Sequence, residues 1–168
     1  FLYYMKVPIK YLPNKLSNKD KKIVSKQLIK TRKDYKNKIY ITRKKINTFE
    51  SKKSKHIINA EKIYNIKKLK INNKLAKKTG CSKKALNKIF KKGQGAYYSS
   101  GSRPNQTAHS WAYARLASAI TSGKSAAVDF NILKNGCKKN SKALKLAKKS
   151  KKKYGYGNRK VRKVTIKK

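Results

Sequence analysis

Acidic residues are almost absent. The chain has 168 residues, with 49 Lys+Arg against 5 Asp+Glu and a formal charge of +44. That balance excludes a surface neutralised from within, so the molecule needs counter-anions and a polyanion is the usual one. Two histidines and five acids also leave few candidates for general acid–base work, and no enzyme, cofactor or metal site is expected. Cysteine is scarce: Cys81 and Cys137, with no CxxC. This pattern points to neither a disulfide framework nor a zinc site, and a reducing compartment is the default. No apolar run approaches the roughly 18 residues that a membrane span needs. No long helix carries the large apolar face of a membrane-surface segment, and no membrane partner is expected. The opening "FLYYMKVPIKYLP", which begins at Phe1 and not at methionine, lacks the apolar core and cleavage site of a signal peptide.

Lysine, abundant elsewhere, is missing from one stretch. Between Lys92 and Lys124 the sequence reads "GQGAYYSSGSRPNQTAHSWAYARLASAITSG". At the chain's average a window of this length holds about eight lysines. Burial is the simplest force that excludes charge, which makes this block the expected folded centre. An AT-rich genome also inflates Lys, Asn and Ile together, and explains the preference for lysine over arginine. It does not explain the scarcity of acids.

The pattern predicts a mostly α fold. It has a small helical core with a helix-turn-helix-like pair, flanked by lysine-rich arms that are extended or partly helical. The division by composition is a basic N-terminal arm with short helices (1–70), a helical core module (71–137) and a basic C-terminal helix and tail (138–168). Pro8 and Pro13 keep the first 16 residues extended. Ser17 caps a helix with Ile23, Val24, Leu28 and Thr31 on one stripe. "KIYITRKKI" (38–46) alternates as a short strand does. Ser54 caps a helix that places Ile57, Ile58 and Tyr64 on one side. Asn72 or Asn73 caps a short helix that Gly80 ends. Ser82 caps the next, ended by Gly93 and Gly95. Thr107 caps a helix rich in alanine, in which Trp111, Leu116 and Ile120 supply bulk. Ser125–Gly136 forms another, and "SKALKLAKKSKKK" a last one. "YGYGNRKVRKVTIKK" is a basic tail, disordered when free.

"NNKLAKKTGCSKKALNKIFK" (72–91) has helix-turn-helix spacing, with Ala76 at the helix contact, Gly80 at the turn, and Leu75, Cys81, Leu86 and Ile89 inward. The second helix then presents Lys83, Lys84, Lys88 and Lys91 to phosphates and Asn87 to an adenine edge. Two short helices about a glycine turn are also plain scaffold, and both readings stand. In the lysine-free block, Arg103 is expected to hydrogen-bond loop carbonyls in a packed loop. His109 and Tyr113 share one face of a helix, and Trp111 and Arg115 another. The alternative is a recognition surface of Tyr97, Tyr98, Arg103, His109, Trp111 and Arg115 against bases or a protein partner. Ser99 or Ser100, His109 and Asp129 make a triad only on paper, for no spacing requires it. "TSGKSA" lacks the first glycine and the leading strand of a phosphate-binding loop. "NQT" at Asn105 matches a glycosylation sequon and is read as incidental.

The block "GQGAYYSSGSRPNQTAHSWAYARLASAITSGKSAAVDFNIL", preceded by "LAKKTGCSKKALNKIFKKG", resembles a domain of unknown function found in giant (nucleocytoplasmic large) DNA viruses and some tailed phages. It covers about residues 72–137. The resemblance implies a viral origin and a helical module, and no activity. The functional expectation is a non-enzymatic, virion-associated basic protein that packages or organises viral DNA, present in host cytoplasm or nucleus during assembly. Its partner is nucleic acid, double-stranded DNA first, or acidic viral structural proteins. One alternative is a minor capsid protein whose Tyr-rich ends (Tyr3, Tyr4, Tyr11, Tyr154, Tyr156) thread between acidic subunits. Another is a helix-turn-helix regulator.

Overall fold

A computed structural model describes residues 4–157 and 161–167. In chain order the elements are strand β1 (Tyr4–Pro8), a single 3-10 turn (Ile9–Tyr11), and helices α1 (Asn18–Lys36), α2 (Lys55–Ile63), α3 (Asn73–Thr79) and α4 (Lys83–Ser99). Then come α5 (Ala108–Ile120), α6 (Lys124–Val128), α7 (Phe130–Gly136), α8 (Lys142–Tyr154) and strand β2 (Lys163–Lys167). The fold is mostly helical, as the pattern predicts.

Local chemistry sets most helix starts. The side chains of Ser17, Asn72, Ser82, Thr107 and Ser141 each accept a hydrogen bond from the amide three residues on, satisfying one of the donors a helix start leaves open. Ser54 makes no such bond. Gly80 ends α3 in the left-handed region at φ 76°, where a side chain is strained.

Two units form by contact. Unit 1 comprises Phe1–Lys52, Gln94–Trp111 and Lys160–Lys168; unit 2 comprises Lys53–Gly93 and Ala112–Arg159. Charge divides the chain into arm, core and tail; contacts take segments from both sides of those lines. In unit 1, β1 and β2 pair antiparallel, with Tyr4 opposite Lys167 and Pro8 opposite Lys163. Met5, Val7 and Ile166 of this ribbon, Val24 and Leu28 of α1, and Tyr11, Leu12, Leu16 and Ile46 form its core. β2 lies in the stretch expected to be a free basic tail. Burial of Ile166 and five paired residues supply what that stretch lacks alone, since a lone strand cannot bury a face. Residues 38–46 form no strand. Tyr3 and the tail residues 158–160 and 168 lie outside the described residues.

In unit 2, α2 to α8 gather around Leu75, Leu86, Ile89, Leu116, Ile120, Leu133, Leu144 and Tyr64. The Tyr64 hydroxyl donates to the Ile120 carbonyl, and burial raises its phenol well above the ordinary value. Three expectations need correction here. Helix α4 does not stop at Gly93 or Gly95 but runs to Ser99. Gly93 is there for closeness: a Cβ on it would lie 2.6 Å from the Ala112 Cα. The single helix expected over 125–136 is two, α6 and α7, meeting at Asp129. The third concerns the cysteines. Ser82 N donates to the Gly136 carbonyl at 2.8 Å and Lys138 N to the Gly80 carbonyl at 2.9 Å. This antiparallel bridge sets Cys81 beside Cys137, and they form a disulfide across 56 residues of chain. Sequence spacing hides such a pair because only the folded turns bring it together.

Candidate nucleic-acid interface

The α3–turn–α4 pair of unit 2 carries the densest set of expected contact residues. Helix α4 is two-faced. Ala85, Leu86 and Ile89 are buried, whereas Ser82, Lys83, Lys84, Asn87, Lys88 and Lys91 are all exposed. Periodicity alone sorts them: positions at three- and four-residue steps share a face. The turn that launches α4 is held from three sides. Gly80 sits against α8, where a Cβ would fall 2.4 Å from the Ser141 Cβ. The disulfide clamps the next residue. Thr79, fully buried, donates from its hydroxyl to the Leu75 carbonyl at 2.8 Å and accepts from the Cys81 amide at 3.2 Å. The helix therefore presents its outer face from a fixed base.

No acidic side chain pairs with Lys83, Lys84, Lys88 or Lys91 among the described residues, and the Asn87 amide makes no intramolecular hydrogen bond there. Four of the five acids are occupied elsewhere. Asp129, 1 % exposed, takes two bonds from Arg115 at 2.9 Å each and one from Lys92 at 2.6 Å. Asp34 pairs with Lys30 at 2.7 Å. Glu61 accepts from Lys53 at 2.8 Å and from the Leu69 amide at 3.1 Å. Asp20 accepts from the Thr48 hydroxyl. Lys67, Lys68, Lys70 and Lys74 add a second cationic surface, a shallow groove with Asn65 and Asn72 ahead of α3.

The other expected residues are placed differently. Arg115 lies under Asp129 as an ion-pair partner, so the carboxylate of the paper triad is already spent. Tyr97 is fully buried. Trp111 packs edge-on to Tyr11 at 5.9 Å. Tyr98 is half-buried against Tyr35. His109 and Arg103 are exposed. The clasp expected of Arg103 on loop carbonyls is instead made by Arg43, which joins the last turn of α4 to the loop that follows. Its guanidinium stands 3.8 Å over the Tyr97 ring and donates to the Tyr97 carbonyl at 3.0 Å and the Ser102 hydroxyl at 2.7 Å. Burial pulls its pKa down, against the raising influence of Tyr97, Tyr11 and Tyr98. Arg103 sits exposed at the bend before the Pro104–Asn105 turn; Arg43 comes from a distant segment, which local pattern does not reveal. Asn105, at φ 61°, uses its amide in three bonds to the backbone of Ile46 and Phe49. A sequon match was its only sequence signal. These contacts, with the buried small residues of α5, account for much of the lysine-free block; Ser100, Arg103, Thr107, His109 and Ser122 within it are exposed.

The family of unknown function DUF5824 matches residues 8–140. The chain belongs to that family. The DUF5824 match reaches well before the lysine-free block, from the last residue of β1 through the whole of α1 to α7. No curated protein and no solved structure matches the chain.

Proposed function

We infer that this DUF5824 protein is a non-enzymatic basic protein of a virion that binds double-stranded DNA through its phosphates and packages or organises it. The supporting observation is the outer face of α4, where among the described residues no carboxylate pairs with its four lysines and the Asn87 amide makes no hydrogen bond, on a helix packed into the core behind. Lysines on one face of a helix meet phosphates as point charges and position the duplex. The viral assignment rests on the resemblance of residues 72–137 to proteins of giant DNA viruses and tailed phages.

Each phosphate neutralised releases counterions, so affinity falls steeply with salt. The test is the affinity of the full chain for random duplex DNA across a salt series, beside a variant with Lys83, Lys84, Lys88 and Lys91 changed to Gln. Loss of four phosphate contacts is expected to flatten the log–log slope by about 3–4. An unchanged slope overturns the role of α4. Weak binding of the parent at physiological salt overturns DNA as the partner and turns the charge toward acidic capsid proteins.

A further inference from the structure

On a chain whose surface is filled with lysine, three consecutive exposed residues are apolar or aromatic: Ile39 at 48 %, Tyr40 at 62 % and Ile41 at 39 % exposure. They belong to unit 1. Exposed apolar groups in a row mark interaction sites more often than isolated ones do.

This segment is held at both ends. Just past α1, Lys38 takes a left-handed φ of 59°, and the amides of Lys38 and Ile39 donate to the carbonyls of Tyr35 and Asp34 at 2.9 Å. Three residues after Tyr40, the Arg43 amide donates to the Tyr97 hydroxyl at 3.0 Å, and the Arg43 guanidinium anchors as described above. Tyr40 itself is buttressed. Its ring meets Tyr35 at 6.0 Å and Tyr98 at 5.3 Å, both at an interplanar angle of 71°. Tyr35 and Tyr98 lie nearly parallel, 6.2 Å apart. Around this cluster the sequence supplies Lys33, Lys36, Lys38, Lys44 and Lys45, all exposed. The one acid in the sequence between residues 21 and 49, Asp34, is tied to Lys30.

We propose that Tyr40, backed by Tyr35 and Tyr98, is a stacking platform for the unpaired bases of single-stranded nucleic acid. A nucleotide brings a flat aromatic face with a phosphate beside it, which matches an exposed ring among cations. Ile39 and Ile41 extend the apolar surface to the sugar and base edges. A protein partner would have to be apolar at Ile–Tyr–Ile and acidic on every side of it; a nucleotide meets both demands with one chemistry. Base pairs in a duplex have both faces covered by their neighbours, so Tyr40 discriminates strands by whether bases are free. Stacking on an aromatic side chain is tolerant of sequence. This extends the nucleic-acid reading to other residues than α4, so the two fail separately.

The experiment measures the full chain's affinity for oligothymidylate, for an abasic strand of the same length and charge, and for random duplex. The variants are Tyr40→Ala, Tyr40→Leu and Tyr40→Trp. Tyr40→Ala and Tyr40→Leu are expected to weaken oligothymidylate binding about five- to a hundredfold, with abasic and duplex binding unchanged within about twofold. Tyr40→Trp keeps parental affinity. Leu retains apolar volume without a π face, so it separates stacking from loss of packing. The proposal is overturned if Leu or Ala leaves oligothymidylate binding intact, which assigns the patch to protein, or if the abasic strand loses as much affinity as the thymidylate. Failure of duplex binding in the parent strikes the α4 reading alone.

Discussion

Of the five carboxylates in this chain, four do structural work, and this explains why they persist where lysine is so frequent. Asp129 is the clearest. Its charge is buried, and Arg115 grips it with two parallel bonds. Removing one partner of such a pair strands the other in the interior, so Asp129→Ala is expected to cost about 3–5 kcal/mol. Lys92→Met, at a half-exposed ammonium, should cost about 1 kcal/mol or less. Urea unfolding of both variants checks the contrast; equal losses would mean that Arg115 is not the main partner. Glu61 gives a pH signature. Burial pushes its carboxyl up, but the Lys53 hydrogen bond, the Leu69 amide and the charges of Lys53 and Lys68 outweigh that and hold it below the ordinary value. A depressed folded value stabilises above the ordinary glutamate range, near pH ~4.3, and that stabilisation disappears as pH falls through the lower folded value. Glu61→Gln is therefore expected to be less stable than the parent at neutral pH and to match it in strong acid. Urea midpoints across pH measure this, and a gap independent of pH would contradict it.

Among the elements, Gly93 decides between two forces. Within a helix, alanine is favoured over glycine by about 1 kcal/mol. Here a Cβ would meet the backbone of Ala112 at 2.6 Å, and overpacking costs about 1–3 kcal/mol. Gly93→Ala is expected to lower the thermal midpoint; a rise would mean the helices part freely. The same residue shows where sequence reasoning stops. Caps at Ser17, Asn72, Ser82 and Thr107 are legible because donor and acceptor lie three residues apart, and the two faces of α4 follow from its period. Gly93 is read as a stop because its real neighbour lies nineteen positions away. The Arg43 clasp, the Asn105 bonds and the β1–β2 pairing have the same cause. Each is a contact between segments whose local patterns do not mention one another. For the candidate interface, the exposed lysines of α4 are legible, and the firmness of its base is not.

For the whole molecule, the disulfide is the largest single constraint. Closing a loop of 56 residues lowers the entropy of the unfolded chain enough to stabilise the fold by about 4 kcal/mol in the chain-entropy view. Cys81→Ser and chemically reduced parent are expected to lose stability to a similar degree, and the unfolded, unreduced chain to show no reactive thiol. Thiol titration in denaturant with urea unfolding checks both; two titratable thiols in unreduced protein would remove the bond and the argument with it.

The pairing of β1 with β2 sets Tyr4 beside Lys167, and this has a mechanical consequence. A pull applied to the two ends meets the ladder end-on and opens it one residue pair at a time, like a zip, at low force. Unit 1 is the first to feel the load. The stretch between Cys81 and Cys137 lies behind a covalent lock and cannot pay out under tension. At about 3.4 Å per residue, 56 residues withhold roughly 190 Å of contour. Stretched to its limit, the oxidised chain is about a third shorter than the reduced one.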